Sequence, residues 1–186
     1  TTIEEKRGTG TLRDEVVGIK PLVGVLSYDD GTGNTARGAA GIQVDMNLAS
    51  NLAPENRALY AGIQTGAIYS HVGGAGAGFF GGGSGVDSGN FLILPANVKI
   101  GYNLGDIVRV SAHGGGNFLY RSVIGAIPTG DEGFLGSNNW GLLPNAGAEL
   151  EFGLAPNLSL SLRPDWTIAP GNDIFTGSLA LGIALG

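Results

Sequence analysis

Strict alternation between apolar and polar side chains from Leu158 to Ile168 is the feature that most constrains the fold. The apolar positions are Leu158, Leu160, Leu162, Pro164, Trp166 and Ile168, and those between them are Ser159, Ser161, Arg163, Asp165 and Thr167. Successive side chains of a β-strand point to opposite faces of its sheet, so a period of two predicts a strand with one apolar and one polar face. One such strand suits a soluble sandwich as well as a barrel.

The closing segment, 175–186, repeats the same period. One side carries Phe175, Leu179, Leu181, Ile183 and Leu185, and the other carries Thr176, Ser178, Ala180, Gly182 and Ala184. The second side is small and almost uncharged, which suits a crowded, enclosed lumen better than open solvent. The repetition favours a barrel with its apolar faces outward, and the predicted lipid-facing residues are Leu158, Leu160, Leu162, Leu179, Leu181 and Ile183.

Six further segments alternate in the same way, which gives eight predicted strands. They cover about 15–28, 37–50, 57–71, 90–102, 107–121, 140–154, 158–168 and 175–186. Each is long enough to cross a hydrocarbon core, which a tilted strand spans in about 9–11 residues. Short turns follow the second, fourth and sixth strands, and longer connections follow the first, third and fifth. Transmembrane barrels show this asymmetry, with tight periplasmic turns and long external loops. In the third strand Tyr60 and Tyr69 share a face only if a β-bulge intervenes.

Composition supports a membrane barrel. Charged residues make up 14% of the chain, against roughly 25% in soluble domains, and 35 of the 186 residues are glycine. No apolar run approaches the roughly 18 residues of a spanning helix, and in lipid only helices and closed barrels satisfy every backbone group. The sequence therefore predicts an all-β fold, an eight-stranded antiparallel up-and-down transmembrane β-barrel with short periplasmic turns and longer external loops, over residues 15–186. Residues 1–14 are expected to form a periplasmic N-terminal tail. A soluble lipocalin-like barrel with inward apolar faces is the structural alternative.

The inward faces of this barrel carry four positive and four negative side chains, namely Lys20, Asp45, Lys99, Arg109, Glu149, Glu151, Arg163 and Asp165. An isolated buried charge is very costly, so we expect hydrogen-bonded pairs that plug the periplasmic half of the lumen. The strand registers predict that Lys20 approaches Asp45, that Glu149 approaches Arg163, and that Arg109 is level with Glu151. Above these charges, small inward residues predict a wet vestibule that faces outside: Gly41, Gly66, Ser70, Gly115 and Asn117.

Aromatic residues lie near the predicted strand ends, as girdles at the two membrane interfaces require. The predicted external girdle is Tyr28, Tyr69, Phe91, Tyr120, Trp140, Trp166 and Phe175, and the residues near the tight turns are Tyr102 and Phe152. Aromatic residues favour strands in general, so ordinary core packing is the alternative interpretation.

This architecture, its period of two and its loop asymmetry make residues 15–186 resemble the eight-stranded outer-membrane β-barrel family, the class of the OmpA transmembrane domain and OmpX. The resemblance rests on architecture and on no diagnostic motif, so it implies a fold and says little about activity. It implies a place in the bacterial outer membrane, with the lipid bilayer, or detergent in vitro, around the apolar faces. We expect a monomer.

Three functions follow as hypotheses. The first is a non-enzymatic barrel with a charge-plugged lumen, which supports envelope integrity or presents loops for surface contact. Phe79 and Phe80, in a glycine-rich loop, would then offer an exposed anchor for an extracellular partner or lipid. The second is a narrow pore or small-solute conduit, opened when ion pairs exchange partners. The third is a lipid A-modifying enzyme, for which His71 and His113 are the available bases.

The sequence predicts no catalytic residue, cofactor or metal site. The glycines of 76–81 match G-x-G-x-x-G by letter, but no helix follows, so a dinucleotide site is not expected. Asp29, Asp30 and Asn34 lack the spacing and the terminal glutamate of an EF-hand. The net charge of -6 disfavours nucleic acid, because phosphate binding requires clustered Lys and Arg.

Overall fold

The computed structural model is a closed antiparallel β-barrel of eight strands. It describes residues 12, 15–29, 34–53, 56, 58–72, 88–124, 140–171 and 173–185. The strands are β1 (Val17–Asp29), β2 (Asn34–Asn47), β3 (Leu59–Val72), β4 (Ser88–Leu104), β5 (Val108–Ile124), β6 (Trp140–Ala155), β7 (Leu158–Thr167) and β8 (Ile174–Leu185). A four-residue helix, α1 (Ala49–Leu52), follows β2. No helix in the described part of the chain is long and apolar enough to span a membrane.

Each strand pairs with its sequence neighbour, and β1 pairs with β8 to close the barrel, with Val17 opposite Leu185. Closure leaves no edge strand with unpaired N–H and C=O groups. That condition is what a β-structure must meet in lipid, where no water can hydrogen-bond a free edge. The predicted fold class is confirmed.

The second strand is shorter at its C-terminal end than the alternation predicted. The prediction carried it to about Ser50, but β2 ends at Asn47, whose side-chain Oδ1 accepts a hydrogen bond of 2.9 Å from the Ala49 amide. An asparagine bonded in this way to the backbone two residues on favours a turn over a continued strand. The chain therefore leaves the sheet there and forms α1.

The two ends of the barrel differ in their connections. Residues 105–107 and 156–157 are tight turns that use the left-handed backbone conformation, with φ of 74° at Gly105 and 65° at Asn157. We call the end with these turns the inner end, and the opposite end the outer end. The connections at 30–33, 73–87 and 125–139 belong to the outer end and lie outside the described residues.

The parity of β3, left open by the sequence, is now determined. Tyr60 is fully buried and points into the barrel, whereas Tyr69 is 48% exposed and points outward. The registers of β3 with β2 and β4 show no shift, so no bulge brings the two side chains to one face.

Candidate functional site in the barrel interior

Most of the large apolar side chains of the strands lie on the outer surface, and the eight charged side chains predicted for the lumen lie inside. Leu162, Leu179 and Ile183 are 51%, 50% and 46% exposed, whereas Lys20 and Arg109 are 0% exposed. The predicted lipid-facing residues Leu160 and Leu181 are also exposed, and Leu158 is half-buried. A water-soluble protein would pay a large free-energy cost for this arrangement, whereas a hydrocarbon solvent favours it.

Lys20 and Lys99 lie at the centre of a buried ion-pair network towards the inner end. The ammonium nitrogen of Lys20 lies 2.9 Å from Asp45, 2.8 Å from Glu149 and 3.0 Å from Glu151. That of Lys99 lies 2.8 Å from Asp45 and 2.7 Å from Glu149. Each charged side chain of the network therefore contacts at least two of opposite sign, since Glu151 also lies 3.2 Å from Arg109. Several close partners help to offset the free-energy cost of removing these charges from water. Lys20 does approach Asp45, as the registers predicted.

Amide side chains complete the hydrogen bonding of this network. The Gln43 amide nitrogen donates to Asp45 at 2.8 Å and to Glu149 at 3.3 Å. Gln64 donates to Glu149 at 3.5 Å and accepts from Asn97 at 3.1 Å. Side chains from five strands therefore meet in one hydrogen-bonded network at this level of the lumen.

Arg109 forms a second cluster at the inner mouth. Its guanidinium lies 3.2 Å from Glu151, 2.5 Å from Glu15 and 2.9 Å from Asn103 Oδ1, and it stacks over the Tyr60 ring at 4.1 Å. Arg109 lies directly opposite Glu151 in the pairing of β5 with β6, as predicted. Sequence reasoning missed Glu15 and Tyr60. Tyr60 could have been found, because it has the parity of inward Gln64, whereas Glu15 precedes β1 and carries no signal in the alternation.

Arg163 does not pair with Glu149, so that prediction is wrong. Glu149 is occupied by the two lysines, and Arg163 instead lies 2.5 Å from Asp165 and donates to Gln43. Asp165 also lies 2.6 Å from His113 Nε2. The strand register determines which residues lie opposite each other on neighbouring strands. A long side chain such as that of Arg163 can still extend to a residue at another height in the barrel.

An apolar layer fills the outer half of the lumen, where a wet vestibule was predicted. Phe91 and Ile93 are 1% exposed, and Leu119 is fully buried. The rest of the layer consists of Leu22, Leu26, Ala39, Ile68, Leu143, Ala169, Ile174 and Ala180, with Tyr28 packed against it. Between this layer and the ion pairs lie polar side chains, among which Asn117 donates to Thr167 at 2.7 Å.

The inward glycines do not open a vestibule, because neighbouring backbone occupies the space that a side chain would take. A Cβ at Gly41 would lie 2.2 Å from the Ala67 carbonyl oxygen, and one at Gly115 would lie 2.2 Å from that of Ala96. Glycine is thus required for close strand approach. The prediction of a vestibule was wrong because it took small residues as a sign of empty lumen.

Most of the predicted girdle residues lie on the outer surface, but Phe91 and Tyr28 do not. Phe91 belongs to the apolar layer, and Tyr28 packs on it edge-on with ring centroids 5.2 Å apart. The outward members are Tyr69, Tyr120, Trp140, Trp166 and Phe175 towards the outer end, and Tyr102 and Phe152 towards the inner end. Two stacked pairs, Trp166 with Phe175 and Trp140 with Phe118, reinforce the outer girdle.

The histidines are not arranged with a serine nucleophile. The Ser70 hydroxyl donates to the Gly38 carbonyl at 2.8 Å, and the nearby His71 contacts Asn90 at 2.9 Å. The Ser111 hydroxyl points to the Glu149 carbonyl at 3.4 Å. A nucleophile must lie within hydrogen-bond reach of its base, so neither pair forms a hydrolytic site. No metal-binding group of three or more His, Cys, Asp or Glu side chains occurs among the described residues.

Several predicted features fall outside the described residues. They are Phe79 and Phe80, the glycines of 76–81, Asp30, and most of the tail 1–14.

Comparison with known proteins shows the fold. No protein-family model and no curated protein matches the chain. Among solved structures, Ail, the attachment invasion locus protein of Yersinia pestis in complex with the heparin analogue sucrose octasulfate, superposes with a TM-score of 0.58. It is 10% identical, and the match covers 91% of this chain and 99% of Ail. Neisserial surface protein A (NspA) superposes with a TM-score of 0.58 at 9% identity, over 91% of this chain and 97% of NspA.

Proposed function

We propose that this chain, by its fold an eight-stranded outer-membrane β-barrel, has a non-enzymatic role in envelope integrity or surface contact. The observation that supports the proposal is the filling of the interior with ion pairs in the inner half and with buried apolar side chains in the outer half. We infer that these two layers close the lumen. A barrel of eight strands has an interior only wide enough for side chains. Transport through it would require both layers to rearrange, so function is expected on the outer surface and in the external loops.

The comparison supports surface contact over transport. Ail is the attachment invasion locus protein and was solved in complex with a heparin analogue, and NspA is a surface protein by name. Both share this fold at low identity, so neither ligand nor partner transfers to this chain. The likeness supports a barrel that presents loops, with the bilayer as its permanent partner and an extracellular molecule as its transient one.

Conductance separates a closed barrel from the alternative of a narrow pore. The barrel reconstituted in a planar bilayer is expected to show no steady single-channel conductance, because residues of both layers cross the lumen. A 16-stranded porin in the same bilayer serves as the positive control, since such barrels hold an aqueous channel. Steady openings that persist over minutes would contradict the closed lumen and favour the pore.

The surface-contact role is expected to depend on Phe79 and Phe80, the aromatic residues of the glycine-rich connection at 73–87. Cells that display the barrel with Phe79→Ser and Phe80→Ser should adhere to host cells or to extracellular matrix at least several-fold less than cells displaying the wild-type barrel. The matched control is Leu154→Ser, which removes an apolar side chain of the inner end and should leave adhesion unchanged. Equal adhesion by both variants would exclude this loop as the contact.

A further inference from the structure

A small polar cluster lies on the outside of the barrel at the outer ends of β3 and β4. The Tyr69 hydroxyl donates a hydrogen bond of 2.6 Å to the side-chain oxygen of Asn90, and His71 Nδ1 lies 2.9 Å from the same oxygen. His71 and Asn90 are directly opposite each other in the pairing of the two strands. We call Tyr69, His71 and Asn90 the rim cluster. A single amide oxygen thus holds a phenol and an imidazole in fixed positions.

The rim cluster faces outward and not into the lumen. Ser70, between Tyr69 and His71, is 1% exposed. Phe91, next to Asn90, is also 1% exposed and belongs to the apolar layer. Because successive side chains of a strand alternate between the two faces, the three members of the cluster point away from the lumen. Lipid surrounds the outward face of a membrane barrel, so lipid is what this cluster meets.

The depth of the rim cluster corresponds to the headgroups of the outer leaflet. Tyr69 belongs to the outer girdle, and aromatic belts lie where hydrocarbon meets headgroups. His71 is two residues nearer the outer end of β3, a distance of about 7 Å along the strand. The headgroup region adds about 5–7 Å to each side of the hydrocarbon core. His71 and its partner Asn90 therefore lie among lipid headgroups.

The hydrogen-bonding groups that remain on the cluster include both donors and an acceptor. Asn90 uses its oxygen for Tyr69 and His71, which leaves the two N–H donors of its amide nitrogen. Since Nδ1 of His71 donates to that oxygen, Nε2 of the neutral imidazole is an acceptor. The half-exposed Tyr69 ring adds an apolar face beside them.

This set of groups matches the chemistry of a sugar. A hydroxyl group both accepts and donates a hydrogen bond, and a sugar ring carries adjacent hydroxyls next to an apolar C–H face. An ionised phosphate only accepts, so it cannot bond to the Nε2 lone pair of His71, and it is typically held by Arg or Lys. β3 contains no Lys or Arg, and Lys99, the single one in β4, is buried in the lumen.

We propose that the rim cluster binds the saccharide headgroup of a glycolipid in the outer leaflet. The Asn90 amide nitrogen donates to one ring hydroxyl, His71 Nε2 accepts from the adjacent hydroxyl, and the Tyr69 ring packs against the sugar. This site goes beyond the surface-contact role, because its ligand is a membrane component and its residues lie on the barrel wall. It adjoins the connection at 73–87, since β3 ends at Val72 and β4 begins at Ser88.

Native mass spectrometry of the barrel in detergent measures lipid binding at known lipid concentrations. The probes are monoglucosyl diacylglycerol and phosphatidic acid with the same acyl chains, so one headgroup is a sugar and the other a phosphate. The wild-type barrel is expected to bind the glucosyl lipid about 10-fold more tightly, the effect of two hydrogen bonds and a ring contact. His71→Phe and Asn90→Leu should each lower the affinity for the glucosyl lipid about 3-fold to 10-fold. Neither variant should change the affinity for phosphatidic acid.

Two further variants serve as controls. Thr65→Val removes an outward hydroxyl from β3 nearer the inner end, and it should leave both affinities unchanged. Asn90→Asp separates sugar from phosphate within the cluster, because a carboxylate still accepts from Tyr69, from His71 and from a sugar hydroxyl but repels a phosphate. It should keep most of the affinity for the glucosyl lipid and lower the affinity for phosphatidic acid. Heat-modifiable gel mobility verifies that each variant is folded.

Three results would overturn the proposal. The first is equal binding of the two probes by the wild type, or a preference for phosphatidic acid, which would indicate a phosphate site. The second is a glucosyl-lipid affinity that neither His71→Phe nor Asn90→Leu lowers. The third is binding of water-soluble methyl glucoside as tight as that of the glucosyl lipid. The soluble sugar should bind far more weakly, because it has no acyl chains to hold it at the barrel wall.

Discussion

Replacing Lys20 with methionine is expected to lower the free energy of unfolding by about 3–5 kcal/mol, the typical cost of removing one partner from a buried ion pair. The change leaves Asp45, Glu149 and Glu151 buried with one contact fewer each. Urea titration in lipid vesicles, followed by the fluorescence of Trp140 and Trp166, measures the effect. The matched control is Ile19→Met, one residue away on the outward face, which should cost less than about 1.5 kcal/mol.

A double variant shows whether the cost comes from uncompensated charge. Adding Glu149→Gln to Lys20→Met removes one of the negative charges that Lys20→Met leaves in excess, while Asp45 keeps its contact with Lys99 at 2.8 Å. The double variant should therefore be less destabilised than the sum of the two single variants, because residues in one network couple. If the two losses in free energy of unfolding simply add, Lys20 and Glu149 contribute independently, which would contradict a shared ion-pair network.

Replacing Leu162 with arginine is expected to destabilise the barrel by about 2–4 kcal/mol, because it places a charge at the bilayer midplane on a lipid-facing strand position. Leu162 lies in the middle of β7 and is 51% exposed. The depth control is Leu154→Arg near the inner end of β6, where the cost falls to about 0–1 kcal/mol. The same vesicle titration compares the two. Near-zero costs for both would show that water, not hydrocarbon, faces Leu162.

The period of two determined most of the fold in advance, because each strand is apolar on one face over its whole length. It assigned the face of Lys20, Arg109 and Glu151 correctly. Phe91 was predicted in the girdle because it lies near a loop, although its position two residues before Ile93 gives it the parity of the inward face, where it is buried. Where the two signals conflict, parity decides, since it is imposed by backbone geometry.

The content of the lumen was less predictable than its walls. Leu22 and Ile93 lay on the inward faces in the sequence, but as isolated apolar residues on separate strands they gave no local pattern. Only closure of the barrel brings them together into the apolar layer. In the same way, the choice of Asp165 over Glu149 by Arg163 depends on side-chain reach across a curved interior. The contact of Glu15 with Arg109 involves a residue that precedes β1 and so lies outside the alternation.

The accessibility of spin labels at adjacent positions tests the central arrangement most directly. Ser161→Cys and Leu162→Cys, labelled singly in a barrel reconstituted in vesicles, place one probe on each face of β7. The arrangement described here predicts high oxygen accessibility and low accessibility to a water-soluble nickel chelate for the label at 162, and low accessibility to both for the label at 161. High nickel accessibility at 162, with oxygen-rich hydrocarbon at 161, would contradict it.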